Sequence, residues 1–198
     1  MMLLKTDHLK AAALCAATKD IRFYLNGVFV EFLLEETRLV ATDGNIAAVL
    51  RDEQKHTLDQ CVSLIIPNDV IKRALTGWKS GGSSLESLNG GLWSLNSVVF
   101  TPMDGRFPDY RRIVPTKASG AVGQFDPELL AVFGKVAKAL GQKTSAVHIW
   151  HSGTDAAAVQ VLGRPEFTGV MMPLKKPKEA PVMSTWGAQW PAPIDQAA

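Results

Sequence analysis

The residues of this chain that could perform chemistry are few, and their spacing argues against a metal site. The 198 residues include four histidines and two cysteines. His148 and His151 form an HxxH pattern, but side chains three positions apart on a β-strand point to opposite faces of the sheet. Cys15 and Cys61 lack the paired spacing of zinc ligands. We therefore expect no metal, and two buried, reduced thiols.

Catalytic signatures are absent from the sequence as well. No stretch matches a phosphate-binding loop, a dinucleotide-binding fingerprint or a nucleophile elbow. Asp43 and Asp104 each precede a glycine, so turn geometry explains their carboxylates better than acid–base catalysis does. The sequence therefore predicts a protein that is not an enzyme and that needs no cofactor.

Basic residues are concentrated in the segments with helical periodicity. The windows 5–20, 67–80 and 125–143 hold nine Lys or Arg against five Asp or Glu, although the whole chain has a net charge of only +2. The helix dipole alone would favour acids in first turns and bases later. The functional interpretation is a helix-lined surface that attracts DNA phosphates without reading sequence. Its candidate contacts are Lys10, Lys72, Arg73, Lys135 and Lys138.

The order of the periodic segments predicts three blocks of about sixty residues, each with one helix and several antiparallel strands. The predicted helices span residues 6–18, capped by Thr6 or Asp7, 67–78 and 126–140. The predicted strands span residues 22–32 with a break at 26–27, 37–50 with a turn at 43–45, 62–66, 85–88, 92–95, 98–101, 121–124, 146–150, 156–162 and 167–174. The fold class is α+β, with repeated helix-plus-strands units.

Residues 104–115 form a linker of fixed shape between the second and third blocks. Gly105 permits a tight turn, and Pro108 holds the preceding residue outside helical space. Phe107 and Tyr110 can anchor the linker on the surface beneath it. An ordinary well-packed loop would have the same properties.

This linker resembles the interdomain connector of the bacterial DNA polymerase III β subunit, the sliding-clamp family. Residues 22–28 and 38–44 resemble two signatures of that family's middle domain, and residues 170–174 resemble its C-terminal strand. The resemblance implies the DNA-clamp fold, with helices on one face of the sheets. It also implies a two-unit domain at 1–115 and a half-domain at 116–175. The Pro/Ala-rich composition and weak periodicity of residues 176–198 predict a tail that is disordered or lies over the surface.

The resemblance further implies a hydrophobic pocket that accepts peptides from DNA polymerases and clamp loaders. The matching positions are Leu25, Thr42, Gly44, Asn45, Ile46, Ala47, Pro108, Arg112, Ile113, Val170, Met171, Met172, Pro173 and Leu174. The family usually has His-Arg-Leu where this chain has residues 45–47, so its peptide specificity is expected to differ. A loop matching Arg22, Phe23 and Tyr24 touches DNA in the family.

These implications predict a cytoplasmic replication protein, from a phage or other mobile element, that encircles or contacts duplex DNA and tethers a polymerase. The alternative is a clamp mimic or adaptor that forms no ring and competes with a host clamp. The third block has no partner block in the chain, so we expect a homo-oligomer, a dimer or a tetramer, in which it pairs across a two-fold axis. No apolar run is long enough to predict a membrane span.

Overall fold

In the computed structural model the chain is an α+β protein, described for residues 1–56, 61–78 and 81–175. Its helices are α1 (Thr6–Ala13), α2 (Asn68–Ala74) and α3 (Pro127–Ala139). Its strands are β1 (Met2–Lys5), β2 (Gly27–Phe32), β3 (Thr37–Thr42), β4 (Ile46–Asp52), β5 (Val62–Pro67), β6 (Gly82–Ser87), β7 (Trp93–Leu95), β8 (Val98–Phe100), β9 (Val147–Trp150), β10 (Ala157–Val161) and β11 (Phe167–Met171). The predicted tail lies outside the described residues.

The strands form two antiparallel sheets, and the first two units interlock by exchanging their first strands. One sheet has the order β1-β6-β7-β8 and the other has the order β5-β2-β3-β4-β11-β10-β9. Strand β1 opens the first unit but pairs with β6 of the second unit. Strand β5 opens the second unit but pairs with β2 of the first. Neither unit therefore completes a sheet by itself.

The third unit extends the sheet of the first unit. Strand β11 pairs with β4 from Phe167 opposite Leu50 to Met171 opposite Ile46. Behind this join, α3 contacts α1. The sheet thus runs without a break across the seam between the two units.

Alternation along the strands sends one set of apolar side chains toward the helices and another to the opposite face. Val28, Val30 and Phe32 of β2 belong to the core that the helices cover. Val40 of β3 belongs to a second, smaller cluster on the other face, together with Phe107 and Tyr110 of the linker. We call these the helix-facing side and the outer face of the sheet.

Two of the predicted helices were too long. Helix α1 ends at Ala13 rather than at residue 18, and α2 ends at Ala74 rather than at residue 78. Neither Thr6 nor Asp7 caps α1, because the preceding residue, Lys5, holds the cap position. The hydroxyl groups of Thr6 and Ser83 instead form a 2.7 Å hydrogen bond with each other. This bond connects the start of α1 to β6.

Other predictions assigned the wrong structure. Residues 22–26 are not strand, because a 3-10 turn occupies Phe23–Leu25, and β2 begins at Gly27, inside the predicted break. The predicted turn at residues 43–45 is confirmed. Residues 121–124 form no strand. Strand β1 was not predicted. Cys15 is buried as expected, but Cys61 is exposed.

Candidate partner-binding and DNA-facing surfaces

The turn between β3 and β4 is held rigidly by its own side chains. A carboxylate oxygen of Asp43 accepts hydrogen bonds from the backbone N–H groups of Asn45 (2.7 Å) and Ile46 (2.8 Å). The Thr42 hydroxyl donates to the Ile46 carbonyl and accepts from the Gly44 N–H. Gly44 has φ +98°, a conformation that glycine adopts without strain. The aspartate therefore shapes the turn, as its sequence context predicts.

The end of β11 lies against this turn. Val170 stands opposite Ala47, and the backbone N–H of Met172 donates a 2.8 Å hydrogen bond to the Asn45 carbonyl. Thr42 is also opposite Ala47 in the β3–β4 pairing, so alternation places Thr42, Ala47 and Val170 on the outer face. We call the surface of Thr42, Asn45, Ala47, Val170 and Met172 the β4–β11 site. Its exposed apolar member is Met172, at 45%.

The linker crosses the outer face beside this site and is anchored by two aromatic side chains. Phe107 stacks on Phe29 with ring centroids 4.9 Å apart. The Tyr110 hydroxyl donates to Glu31 of β2 and accepts from Arg38 of β3. Phe107 and Tyr110 are both nearly buried. The linker is therefore fixed in shape, as its composition predicts.

Beyond Tyr110 the linker continues toward the third unit. Arg112 and Ile113 line a groove of about 630 Å³ together with Ala156. Ala156 precedes Ala157, whose partner on β11 is Met171. The exposed Arg112 and Ile113 therefore lie toward the end of the sheet that carries the β4–β11 site.

Five of the predicted pocket residues lie elsewhere. Ile46 and Met171 face the helices and belong to the helix-facing core, and Leu25 is 1% exposed within the outer cluster. Pro108 lines a separate groove with Phe29 and Ser63. Leu174 lines another with Gln124, whose carbonyl accepts its backbone N–H. Of the two remaining positions, Gly44 is in the turn described above and Pro173 connects Met172 to Leu174.

An ionic network on the outer face was missed by sequence reasoning. Glu36 accepts hydrogen bonds from Arg38 and Arg51, and its side chain is 8% exposed. Burial alone would raise the pKa of Glu36, but the two guanidinium groups outweigh it and the net shift is downward. Arg111 of the linker pairs with Glu31 at 2.9 Å. The sequence did contain a signal for this network, because alternation along β2, β3 and β4 places Glu31, Arg38 and Arg51 on the outer face.

The five basic residues predicted from the helical windows to contact DNA all lie on the helices. Lys72, Arg73, Lys135 and Lys138 are exposed. Arg73 forms an ion pair with Asp69 at 3.3 Å, one turn earlier on α2. The ammonium groups of Lys10 and Lys138 donate to the carbonyls of Trp78 and Lys143. A groove of about 410 Å³ between the helices is lined by Lys10, Ala13, Leu14, Asn68, Ile71, Lys72, Leu75 and Ala139.

Arg22, Phe23 and Tyr24 lie beside the β3–β4 turn rather than on the helices. The Arg22 guanidinium binds the carboxylate of Asp20 at 2.8 Å, and these hydrogen bonds lower the pKa of Asp20 to about 2. The same guanidinium donates to the Asp43 carbonyl at 3.5 Å. Phe23 is 51% exposed and meets Tyr24 edge to face. Phe23 is therefore available at the surface rather than packed in the core.

The described residues contain no group of three or more His, Cys, Asp or Glu side chains placed to hold a metal ion. His148 lies on β9 and His151 follows it, where the His151 ring contacts Phe125. Among the helices of the described ranges, none is both long enough and apolar enough to span a membrane.

Comparison with known proteins identifies the relatives of this chain. No protein-family model matches it. It is 33% identical over 139 residues to the Beta sliding clamp of Proteus mirabilis, covering 67% of this chain and 38% of that protein. It is 34% identical over 112 residues to the Beta sliding clamp of Escherichia coli K12, covering 54% of this chain and 30% of that protein. The chain thus spans less than half the length of these relatives.

Solved structures agree on the fold. The DNA polymerase III β subunit of Thermotoga maritima superimposes with a TM-score of 0.70 at 16% identity, over 89% of this chain and 65% of that one. The β subunit of Pseudomonas aeruginosa superimposes with a TM-score of 0.68 at 18% identity, over 89% of this chain and 66% of that one. The resemblance seen in the motifs is confirmed: the chain is a relative of the bacterial β sliding clamps and has the sliding-clamp fold.

Proposed function

We propose that this protein is a clamp-like factor of DNA replication, which holds a DNA polymerase on duplex DNA through a peptide bound at the β4–β11 site. The observation that carries the proposal is the pairing of β4 with β11. This pairing places the β3–β4 turn and the C-terminal strand end, the two segments that the family resemblance assigns to its peptide pocket, in direct contact.

The β4–β11 site has the properties that an extended apolar peptide needs. Met172 offers an adaptable, exposed thioether beside the apolar but nearly buried Ala47 and Val170. The main-chain carbonyl of the exposed Gly44 can accept a hydrogen bond from a bound strand and so fix its direction. Because the Thr42 hydroxyl accepts from the Gly44 N–H and the Asp43 carboxylate accepts from the Asn45 N–H, the turn of this site has its shape before a peptide binds.

The opposite side of the protein supports the DNA part of the proposal. The exposed cations of α2 and α3 lie on the helices and the linker lies on the outer face, so DNA and peptide would occupy different sides. Within the described residues, Lys72 and Lys135 make no hydrogen bond or ion pair that would compete with phosphate. Contacts of this kind are independent of base sequence and sensitive to salt.

Peptide binding can be tested by titrating a fluorescent Gln-plus-hydrophobe peptide of the clamp-binding type. Met172→Lys is expected to weaken binding at least tenfold, because it replaces an exposed apolar wall with a charge that the bound peptide would cover. Val99→Lys is the matched control, since Val99 is 54% exposed on β8 of the other sheet. Equal affinity of both variants for the peptide would overturn the proposed site.

A second candidate is an adaptor that binds clamp partners without forming a ring. It is favoured by the fact that β4 and β11, which build the site, belong to one chain, so peptide binding needs no second copy. Retention on nicked circular DNA with loss from the linearised form identifies a ring. Peptide binding with no retention on either form identifies the adaptor, whereas absence of both activities contradicts both candidates.

A further inference from the structure

We propose that two copies of this protein join through their third units, each inserting residues 121–125 beside strand β9 of the other. This dimer would convert two half-domains into one complete two-unit domain. The proposal rests on the strand exchange inside the chain and goes beyond the proposed function, because it holds whether or not DNA or a peptide is bound.

The first two units show the pairing that the third unit lacks. In each of them, the strand before the helix pairs with the strand that follows the helix of the other unit: β1 with β6, and β5 with β2. The corresponding strand after α3 is β9, which pairs with β10 on one side. Among the described residues, no strand pairs with the other edge of β9.

The segment before α3 corresponds to β5 by its hydrogen bonding as well as by its place in the chain. Ile65 lies three residues before α2, and its carbonyl accepts the N–H of Met103, three residues after β8. Gln124 lies three residues before α3, and its carbonyl accepts the N–H of Leu174, three residues after β11. Residues 121–125 therefore occupy the position of a first strand and lack only its partner.

In the single chain this segment folds back on the turn after β9. The Gly120 N–H donates to the His151 carbonyl, and the Gly153 N–H donates to the Ala121 carbonyl. Val122 is left 83% exposed. The Gly123 N–H also donates to Nδ1 of His151 at 3.3 Å. Exchanging these three bonds for bonds to β9 of a second copy costs little in hydrogen bonding, so the covered apolar surface decides the balance.

The register follows from the two complete pairings. Leu4 and Ile66, each two residues before its helix, pair with Ser83 and Val28 on the helix-facing side. Phe125 has the same position before α3 and packs against the same core, as do Val147 and Ile149 of β9. Setting Phe125 opposite Val147 of the second copy places Val122 opposite Trp150, which is 53% exposed on the outer face. Two exposed apolar side chains thus cover each other at each of two symmetric contacts.

The occupant that fits is a second copy, because the exchange is reciprocal. One chain carries both the unpaired segment and the open edge, so a two-fold axis satisfies both at once. An isolated peptide could fill the edge of β9 but would leave residues 121–125 unpaired.

The test is the mass of the full chain in solution, without DNA or peptide, by sedimentation equilibrium. Wild type is expected at twice the 21.4 kDa of one chain. Val122→Lys is expected to dissociate at least tenfold more readily, since it places a charge in a dry interface. Because Val122 is exposed in the single chain, the variant should keep its fold by circular dichroism. Val99→Lys, on the open edge of β8, should leave this dimer intact.

A cross-link checks the register directly. In a Cys61→Ser background, Val122→Cys with Trp150→Cys should give an oxidised product of dimer mass. A monomeric wild type at its highest soluble concentration, or a dimer lost by Val99→Lys and kept by Val122→Lys, would overturn the proposal. So would a cross-link confined to single chains. Peptide binding by such a monomer would still support the proposed function, so the two failures are distinguishable.

Discussion

Val170 of β11 stands directly opposite Ala47 of β4, and this pair joins two segments that are far apart in the sequence. Both side chains are nearly buried on the outer face, with the exposed Met172 beside them. The contact stabilises the third unit, because its sheet continues into the sheet of the first unit. It also creates the candidate partner site, so stability and function depend on the same seam.

The packing of α3 on β11 requires glycine at position 169. A Cβ atom there would lie 2.5 Å from a ring carbon of Phe133 and 3.0 Å from Cβ of Val159. Gly169→Ala is therefore expected to lower the free energy of unfolding by about 1–3 kcal/mol, the usual cost of overpacking a core. Urea denaturation of the variant and of wild type measures this difference in the free energy of unfolding. Gly82→Ala is the control, since its nearest neighbour would be 3.6 Å away; an equal loss in both variants would refute the packing argument.

His8 couples the start of α1 to the third unit and should make stability depend on pH. Burial lowers the pKa of His8, although nearby carboxylates oppose the shift. Its Nε2 lies 3.7 Å from Glu166, and its Nδ1 has no hydrogen-bond partner among residues 1–56, 61–78 and 81–175. Below about pH 6.5 the unfolded chain gains a proton that the folded chain does not, so stability falls, by at most about 1.4 kcal/mol per pH unit.

The measurement for His8 is the free energy of unfolding between pH 7.5 and about 5. His8→Gln should flatten this dependence, whatever its effect on stability at neutral pH. His148→Gln changes an exposed histidine of β9 and should leave the dependence unchanged. A wild-type slope that survives in His8→Gln would show that another group is responsible.

Tyr110 fixes the linker on the sheet through its hydroxyl as well as its ring. Tyr110→Phe removes the hydrogen bonds to Glu31 and Arg38, at an expected cost of about 1 kcal/mol in thermal or urea unfolding. The cost stays small because Arg111 still pairs with Glu31. Tyr24→Phe, whose hydroxyl has no hydrogen-bond partner within the described residues, should be nearly neutral. The reverse order of the two losses would contradict the assigned role.

DNA binding should depend on the exposed lysines of the helices. Removing two phosphate contacts with Lys72→Ala and Lys135→Ala is expected to reduce the slope of log affinity against log salt by roughly 2. Fluorescence anisotropy on duplexes of unrelated sequence measures both the slope and the lack of sequence preference. Lys117→Ala changes an exposed lysine in the segment after the linker and serves as the control. An unchanged slope in the double variant would place DNA on another surface.

The sequence was sufficient for local structure wherever the signal was local. The Asp-Gly turn at residues 43–45, the capped and proline-initiated helix at Pro127 and the glycine stop after it were all predictable. The β4–β11 pairing was not, because no local signal specifies which strand edges meet. One error in the predicted pocket could have been avoided from the sequence. Because side chains alternate along a strand, placing Ala47 on the outer face places Ile46 on the helix-facing side.

Short, context-dependent elements were the hardest to predict. Strand β1 has four residues and exists because β6 offers it an edge. Residues 121–124 have strand-like composition but no partner in the described chain, so their propensity is not realised. The polar cluster around Glu36 and Arg51 depends on cross-strand proximity, which becomes visible only once the sheet is assembled.

The measurement that tests the central claim most directly is amide hydrogen exchange with and without a clamp-binding polymerase peptide. The account predicts that binding slows exchange in residues 42–47 and 170–174 together, with the helices unaffected. Protection confined to the helices, or to the outer face around β9, would contradict it, because the peptide would then bind away from the seam that β4 and β11 create.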